Sequence, residues 1–420
     1  MIKNRYILSE VQVSNMNLRK FIIIILVLTV SFGIGLLGYK SYSTNPARNQ
    51  PLVYAEKDML QELWSSYKNN YIETGTNRTL DKQQNNISTS EGQSYTMLRA
   101  VWMDDQKTFD ESLQWTKDNL QRDDKLFSWK FGLLPNGDYG IQDTIGGQNT
   151  ATDGDSDIAL SLLMAHSRWK QDKYLYDAVP IIDSIWEREV VMIGDKPVLV
   201  ANNLERDNSE SVIVNPSYFA PYAYKIFAQI DKDHDWIGLA DNSYSILAKV
   251  SDEELDKGSS AGLPPDWVAI ERETGTIKAV ASPDLTTKFS FDAIRTPWRL
   301  ALDYKWNKDE RSRTILQKYT LLSREWQKHQ RITATYTHDG IPASSFETPA
   351  TYGATIGYFA VVNPQIASEI YKSKLSTLYD PDEQKPRAPL SYYDDNWAWF
   401  GIALYLDELP NLTITEQRKL

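Results

Sequence analysis

Residues 151–169 read ATDGDSDIALSLLMAHSRW, three acids within five positions followed by a mostly apolar run. From Ile158 to Trp169 the apolar residues return every three or four positions, the spacing of one helix face. That spacing predicts a helix over 155–169. Asp153, Asp155 and Asp157 stand where it begins. There Thr152 or Asp153 would cap free N–H groups, and further carboxylates would complement the helix dipole. Capping accounts for one or two of these acids but not for three. A calcium loop also fails: counted from Asp153, the position that needs Gly is Ile158 and the one that needs Glu is Met164.

The same period runs outward along the chain, in 52–71, 174–191, 218–230, 315–326 and 397–406. Turn signals such as PNGDYG (135–140) and GLPPDW (262–267) separate the stretches. Twelve helical segments are expected, near 52–72, 90–103, 107–120, 155–169, 172–190, 216–230, 234–249, 290–304, 307–327, 350–360, 363–375 and 392–407. Alternating, strand-like runs are few, the best being 198–202 and 276–282. The fold class is therefore all-α. Twelve helices pair naturally into six hairpins, which suggests a toroid with an inner ring packed against an outer one.

The composition narrows the function. With 45 basic and 56 acidic residues the chain of 420 carries a net charge of −11, a poor footprint for nucleic acid. No cysteine is present, which excludes disulfides, thiolate metal sites and a cysteine nucleophile. Thirteen Trp, 24 Tyr and 12 Phe suit a protein that grips flat, hydroxylated ligands. None of the four histidines lies in an HExxH arrangement, and no phosphate-binding glycine loop or GxSxG elbow occurs. His166 falls on an apolar helix face and reads as structural.

The N-terminus differs from the rest. Residues 21–38, FIIIILVLTVSFGIGLLG, are uncharged and almost wholly apolar, about the length needed to cross a bilayer. Lys3, Arg5, Arg19 and Lys20 precede them against the single acid Glu10, so residues 1–20 are expected in the cytoplasm. The expected organisation is a basic segment at 1–20, a signal-anchor or signal peptide at 21–39, a linker at 40–51 and one domain over 52–420. That domain would lie outside the cell, anchored by the segment or secreted. Contact with a membrane is expected through this segment alone.

Two more stretches carry candidate chemistry. Ser90-Glu91-Gly92-Gln93-Ser94-Tyr95 opens a helix that Ser90 is placed to cap, with Glu91 in its first turn. By propensity Glu91 is dipole decoration, yet its neighbours are unusually polar for a packed helix start. In Phe291-Asp292-Ala293-Ile294-Arg295, Asp292 and Arg295 stand three apart, the spacing of an ordinary helical ion pair.

Taken together these three stretches resemble glycoside hydrolase family 8, the bacterial endoglucanase family that also holds chitosanases, lichenases and xylanases. Residues 151–169 are similar to its signature at every restricted position. Residues 90–95 resemble the segment bearing its general acid, and 291–295 the one bearing its general base. Asn215-Pro216-Ser217-Tyr218-Phe219 and Ser391-Tyr392-Tyr393-Asp394 resemble further family segments. The resemblance spans about 52–406 in the expected order and implies an (α/α)6 barrel. It assigns Glu91 as acid, Asp292 as base and Asp153 as the carboxylate that binds the sugar at the cleavage point. One position departs: the residue before the base is commonly Tyr in the family and here is Phe291, so Asp292 must be held by another group.

The resemblance implies an inverting endo-acting hydrolase of β-1,4-glucan that uses no metal or organic cofactor and works as a monomer on a polysaccharide partner. Inversion needs one carboxylic acid, one carboxylate and a water between them, with the carboxyls roughly 6.5–9.5 Å apart. Tyr95, Trp129, Tyr218, Arg295, Tyr392 and Tyr393 are the expected substrate-binding residues. Trp129 resembles a family stacking residue, and Arg295 would favour the charged form of Asp292. Trp102, Trp169 and Trp186 read as core. Chitosanase or mixed-linkage glucanase activity, or an inactive surface glycan-binding protein, are the competing readings.

Overall fold

The computed structural model describes residues 56–413, apart from 283 and 384. The segments expected at 1–20, 21–39 and 40–51 lie outside these residues. Among the described residues no helix is long and apolar enough to cross a membrane.

Thirteen α-helices are found among the described residues. They are α1 (Glu56–Tyr71), α2 (Ser90–Trp102), α3 (Gln106–Asn119), α4 (Thr152–Trp169), α5 (Asp172–Glu189), α6 (Pro221–Ile230) and α7 (Trp236–Val250), then α8 (Arg295–Asn307), α9 (Glu310–Leu316), α10 (Thr320–His329), α11 (Pro349–Val362), α12 (Pro364–Ile370) and α13 (Tyr392–Tyr405). The helical reading of the sequence holds. Six helices, α2, α4, α6, α8, α11 and α13, are buried along most of their length. They pack in chain order, α2 on α4, α4 on α6, α6 on α8, α8 on α11 and α11 on α13. Edge-on contacts of Tyr95 with Trp397 and Phe400 join the last of them to the first. The intervening helices α3, α5, α7 and α12 each pack on an inner neighbour, burying one face and leaving the other to solvent.

Glycine sets the closest approach in the inner ring. A Cβ on Gly353 of α11 would stand 2.0 Å from the Trp397 carbonyl of α13, and one on Gly401 would stand 2.2 Å from the Gly353 carbonyl. The two backbones touch, which no larger residue permits.

Where structure and expectation differ, local chemistry gives the reason. Helix α6 begins at Pro221, not 216, because residues 216–218 form a separate turn capped by Asn215. Helix α8 begins at Arg295, not 290, because residues 290–293 are held as a turn by side-chain bonds described below. The segment expected at 307–327 splits into α9 and α10 around Gln317–Tyr319, a break with no Gly or Pro to announce it. Strand structure was under-read. The loops carry β1 (Ser88–Thr89), β2 (Lys130–Leu133) and β3 (Tyr139–Ile141), then β4 (Val190–Ile193), β5 (Lys196–Leu199), β6 (Ser211–Val214), β7 (Val268–Glu271) and β8 (Ile277–Lys278). All pair antiparallel, with Phe131 opposite Ile141, Val191 opposite Val198 and Val212 opposite Ile270. The run expected at 198–202 contributes only its first two residues to β5, and 276–282 contributes only Ile277 and Lys278.

Candidate active site

The inner helices share an end. Glu91 and Asp153 are the second residues of α2 and α4, Arg295 is the first of α8, and Tyr392 and Tyr393 open α13. Tyr218 stands just ahead of α6, and Thr348 caps α11. Each helix N-terminus presents a partial positive charge, so the shared end is a favourable place for carboxylates.

Sequence reasoning misassigned the caps. Thr89, not Ser90, caps α2, its Oγ1 accepting from the Gly92 N–H at 2.9 Å. Ala151 occupies the cap position of α4, and no side chain caps it. The three acids of α4 go to three separate tasks. Asp153 turns into the site. Asp155 Oδ1 accepts the Phe127 N–H at 2.8 Å. Asp157 takes a two-pronged bond from Arg299, at 3.0 and 2.8 Å.

Arg295 lies at the centre, its side chain only 1% exposed. Its Nη1 donates to Glu91 Oε2 at 2.6 Å and to Asp153 Oδ2 at 2.9 Å, and its Nη2 donates to Asp292 Oδ1 at 2.6 Å. Its Nε reaches Ser217 Oγ at 3.2 Å, and its guanidinium carbon stands 5.2 Å from the Tyr218 ring centre. One cation thus gathers three carboxylates. A planar guanidinium is small, so the bonded oxygens of Glu91 and Asp292 are held within roughly 8 Å of each other. Such a bound accommodates the two-carboxyl geometry of glycoside hydrolysis.

The carboxylates differ in surroundings. Asp153 is sealed at 2% exposure, whereas Glu91 and Asp292 keep 26% and 32% of their side chains open. Burial pushes the Glu91 carboxyl up to about 7; Arg295 pulls it down, and the charges of Asp153 and Asp292 push it up again. Burial also raises Asp153, against the opposing pull of Arg295 and Arg299. Behind them the buried carboxyls of Asp155 and Glu189 face each other, and burial pushes Glu189 up to about 8.

A cavity of about 490 Å³ opens onto this cluster. Glu91, Asp292, Arg295, Phe291, Tyr392 and Tyr393 line it, together with polar groups of the Asp81–Gln84 turn, Thr89, Thr348, Ser391 and Asp394. The Tyr393 hydroxyl donates to the Phe291 carbonyl, and the exposed Phe291 ring meets Tyr393 edge-on at 6.1 Å. Tyr392 is buried beside Gly92, where a Cβ would stand 2.7 Å from its hydroxyl.

Four residues expected at the substrate do not line this cavity. Asp153 is sealed against Arg295. Tyr95 is buried beneath it, hydrogen-bonded to Glu91 and 3.4 Å from Arg295 Nη1. Tyr218 stacks beside Arg295. The half-buried Trp129 donates its indole N–H to the Gly146 carbonyl at 2.9 Å, and its own carbonyl accepts the Ser90 N–H. It therefore flanks the start of α2, next to the acid.

Sequence reasoning missed two groups. Trp267 Nε1 donates to Asp292 Oδ2 at 3.1 Å. Asp266 is buried and accepts from the Ser290 and Ala293 N–H groups, from Thr286 Oγ1 and from the Ser290 hydroxyl. Only the Asp-Trp ending of the GLPPDW turn hinted at them.

Position 154 sets the spacing. A Cβ on Gly154 would lie 2.7 Å from Ser90 Oγ and 3.0 Å from the Glu91 nitrogen, so the first turns of α2 and α4 are in contact.

The inner helices thus gather an acid cluster and aromatic rings at one shared end. The model of the family "Glycosyl hydrolases family 8" matches residues 47–396, and the chain belongs to that family. It is 31% identical over 323 residues to Endoglucanase 2 of Ruminiclostridium josui, a match that covers 71% of this chain and 65% of that protein. This chain therefore spans slightly under two thirds of that relative's length. Among solved structures, the endo-1,4-D-glucanase of Vibrio fischeri ES114 superposes with a TM-score of 0.69 at 25% identity, covering 82% of this chain and 94% of the other. A beta-1,3-1,4-glucanase of Paenibacillus sp. X4 superposes at 0.70 and 24% identity, covering 86% and 95%, a likeness of fold.

Proposed function

We propose that this chain is an inverting endo-β-1,4-glucanase, an (α/α)6 barrel held outside the cell as a monomer by its apolar N-terminal segment. The observation that carries the reading is the single guanidinium of Arg295, which bonds Glu91, Asp153 and Asp292 at the floor of an open cavity. In this reading Glu91 protonates the departing glycosidic oxygen, and Asp292 accepts a proton from the water that attacks the opposite face of the sugar. A carboxyl raised to about 7 keeps much of its proton near neutral pH, which suits a general acid. Asp292 keeps two donors on its oxygens, Arg295 and Trp267, and an exposed edge that leaves room for water. Asp153, too enclosed to reach bulk solvent and outside the cavity lining, acts through Arg295, holding the guanidinium that reaches Glu91 and Asp292. The endoglucanase name of the R. josui relative supports glucan as the substrate class.

The test is reducing-sugar release from carboxymethylcellulose, mixed-linkage glucan, xylan and chitosan, with NMR of the first anomer formed. Preferred cleavage of carboxymethylcellulose with inverted anomers is expected. Wild type and Glu91→Gln releasing equal amounts would make the chain a glycan binder instead.

A further inference from the structure

Asp292 precedes the first residue of α8 by only three positions, in a turn rather than a helix, so its own element does little to aim it. Arg295 holds Oδ1, but this guanidinium is shared with two other carboxylates. The second oxygen is held from elsewhere. Trp267 Nε1 donates to Oδ2 at 3.1 Å, across 25 residues of chain.

The segment that carries this indole is itself fixed. Gly262 at φ +84 turns the chain into Leu263-Pro264-Pro265, and a Cβ there would stand 2.6 Å from the Lys318 carbonyl. The Asp266 N–H then donates to the Lys288 carbonyl at 2.7 Å, and the Trp267 N–H to the Thr286 carbonyl at 3.0 Å. Asp266 returns bonds to the backbone on both sides of Asp292, accepting from Ser290 N and Ala293 N at 3.1 and 2.8 Å. The Trp267 ring lies edge-on to Tyr218 at 5.8 Å and is not part of the cavity lining. An indole so placed serves the carboxylate, not the sugar.

We propose that Trp267 is a positioning residue for Asp292: its N–H fixes the plane of the carboxylate and, with Asp266 beneath the turn, points one oxygen toward the attacking water. This rests on the reading of Asp292 as general base. The groups facing Asp292 are Arg295 of α8, Glu91 of α2, Asp266, Tyr218 ahead of α6 and Tyr393 of α13. Of these, Tyr218 packs edge-on against the Trp267 ring and Asp266 precedes it in the chain, so a test at 267 must keep a ring there.

Trp267→Phe keeps a ring against Tyr218 and removes the donor. Losing a hydrogen bond to the charged form favours protonation, so the acid limb of the pH–rate profile should move to higher pH. On the same grounds kcat should fall about tenfold with KM changed less than about twofold. Trp267→His, which restores a ring N–H, should recover part of the loss. Titration of the ¹³C-labelled Asp292 carboxyl gives a readout independent of turnover: its midpoint should rise in Trp267→Phe. An unmoved midpoint overturns the proposal. So does equal damage in both variants with a raised KM, which would make the ring a sugar contact. If wild type cleaves none of the four polysaccharides, the function fails, while the carboxyl titration still decides whether Trp267 holds Asp292.

Discussion

Helices α4 and α8 meet twice with the same pair of residue types, and the two meetings serve different ends. Asp153 bonds Arg295, and four residues further along both helices Asp157 bonds Arg299. The inner pair is closed: one acid, one cation, two parallel bonds and a third from Arg299 to the Tyr222 hydroxyl at 2.7 Å. The outer cation serves three acids and lies beneath an open cavity. Charge type and spacing are identical, so neither decides the role. Stoichiometry and access to solvent do: a buried one-to-one pair locks two helices together, while at the shared cation burial and two neighbouring carboxylates raise Glu91 to about 7.

The comparison breaks most visibly at Glu91. Glu91→Gln removes the proposed proton donor and is expected to lower kcat by about 10²–10⁴-fold with the fold intact, read by sugar release and circular dichroism. Asp157→Asn should do the reverse. Removing one partner of a buried pair costs about 3–5 kcal/mol, so the urea midpoint should fall sharply, while kcat per folded molecule holds. Gly154→Ala adds a methyl against Ser90 and the Glu91 nitrogen. The overpacking should cost about 1–3 kcal/mol and lower kcat as well, because the acid is pushed out of line. The smallest effect is a shift in pH. In the proposed role Glu91 must hold its proton to act, so activity is expected to decline as pH rises through about 7. Asp153 raises that carboxyl, and Asp153→Asn frees Arg295 to lower it further, so the decline in residual activity should begin at lower pH. A limb that stays in place would show that Asp153 and Glu91 do not share the cation.

The sequence made the helical scaffold readable because the outer helices keep the three- and four-residue period, while inner ones such as α11 and α13 are apolar nearly all round. It pointed to Glu91, Asp153 and Asp292 together only through the family resemblance: capping left part of the 153–157 acid cluster unexplained, but Glu91 alone reads as dipole decoration and Asp292 as half of an ordinary ion pair. The ion pair of Asp292 with Arg295 was legible from spacing. The other two branches of Arg295 were not, since they cross 204 and 142 residues of chain. Trp267 stayed hidden for the same reason: a half-buried Trp after two prolines reads as turn punctuation, and its bond to Asp292 exists only in three dimensions. Phe291 was read as a loss. In the structure Trp267 and Arg295 hold the Asp292 carboxylate, and Tyr393 donates to the Phe291 carbonyl.

The bare α-carbon at position 154 works as a ruler. What keeps Glu91 and its buried companion Asp153 at their present separation is a side chain that is missing, so the tolerance of this centre is one hydrogen atom wide. Drift at that residue would detune the catalyst without touching a single ionisable group.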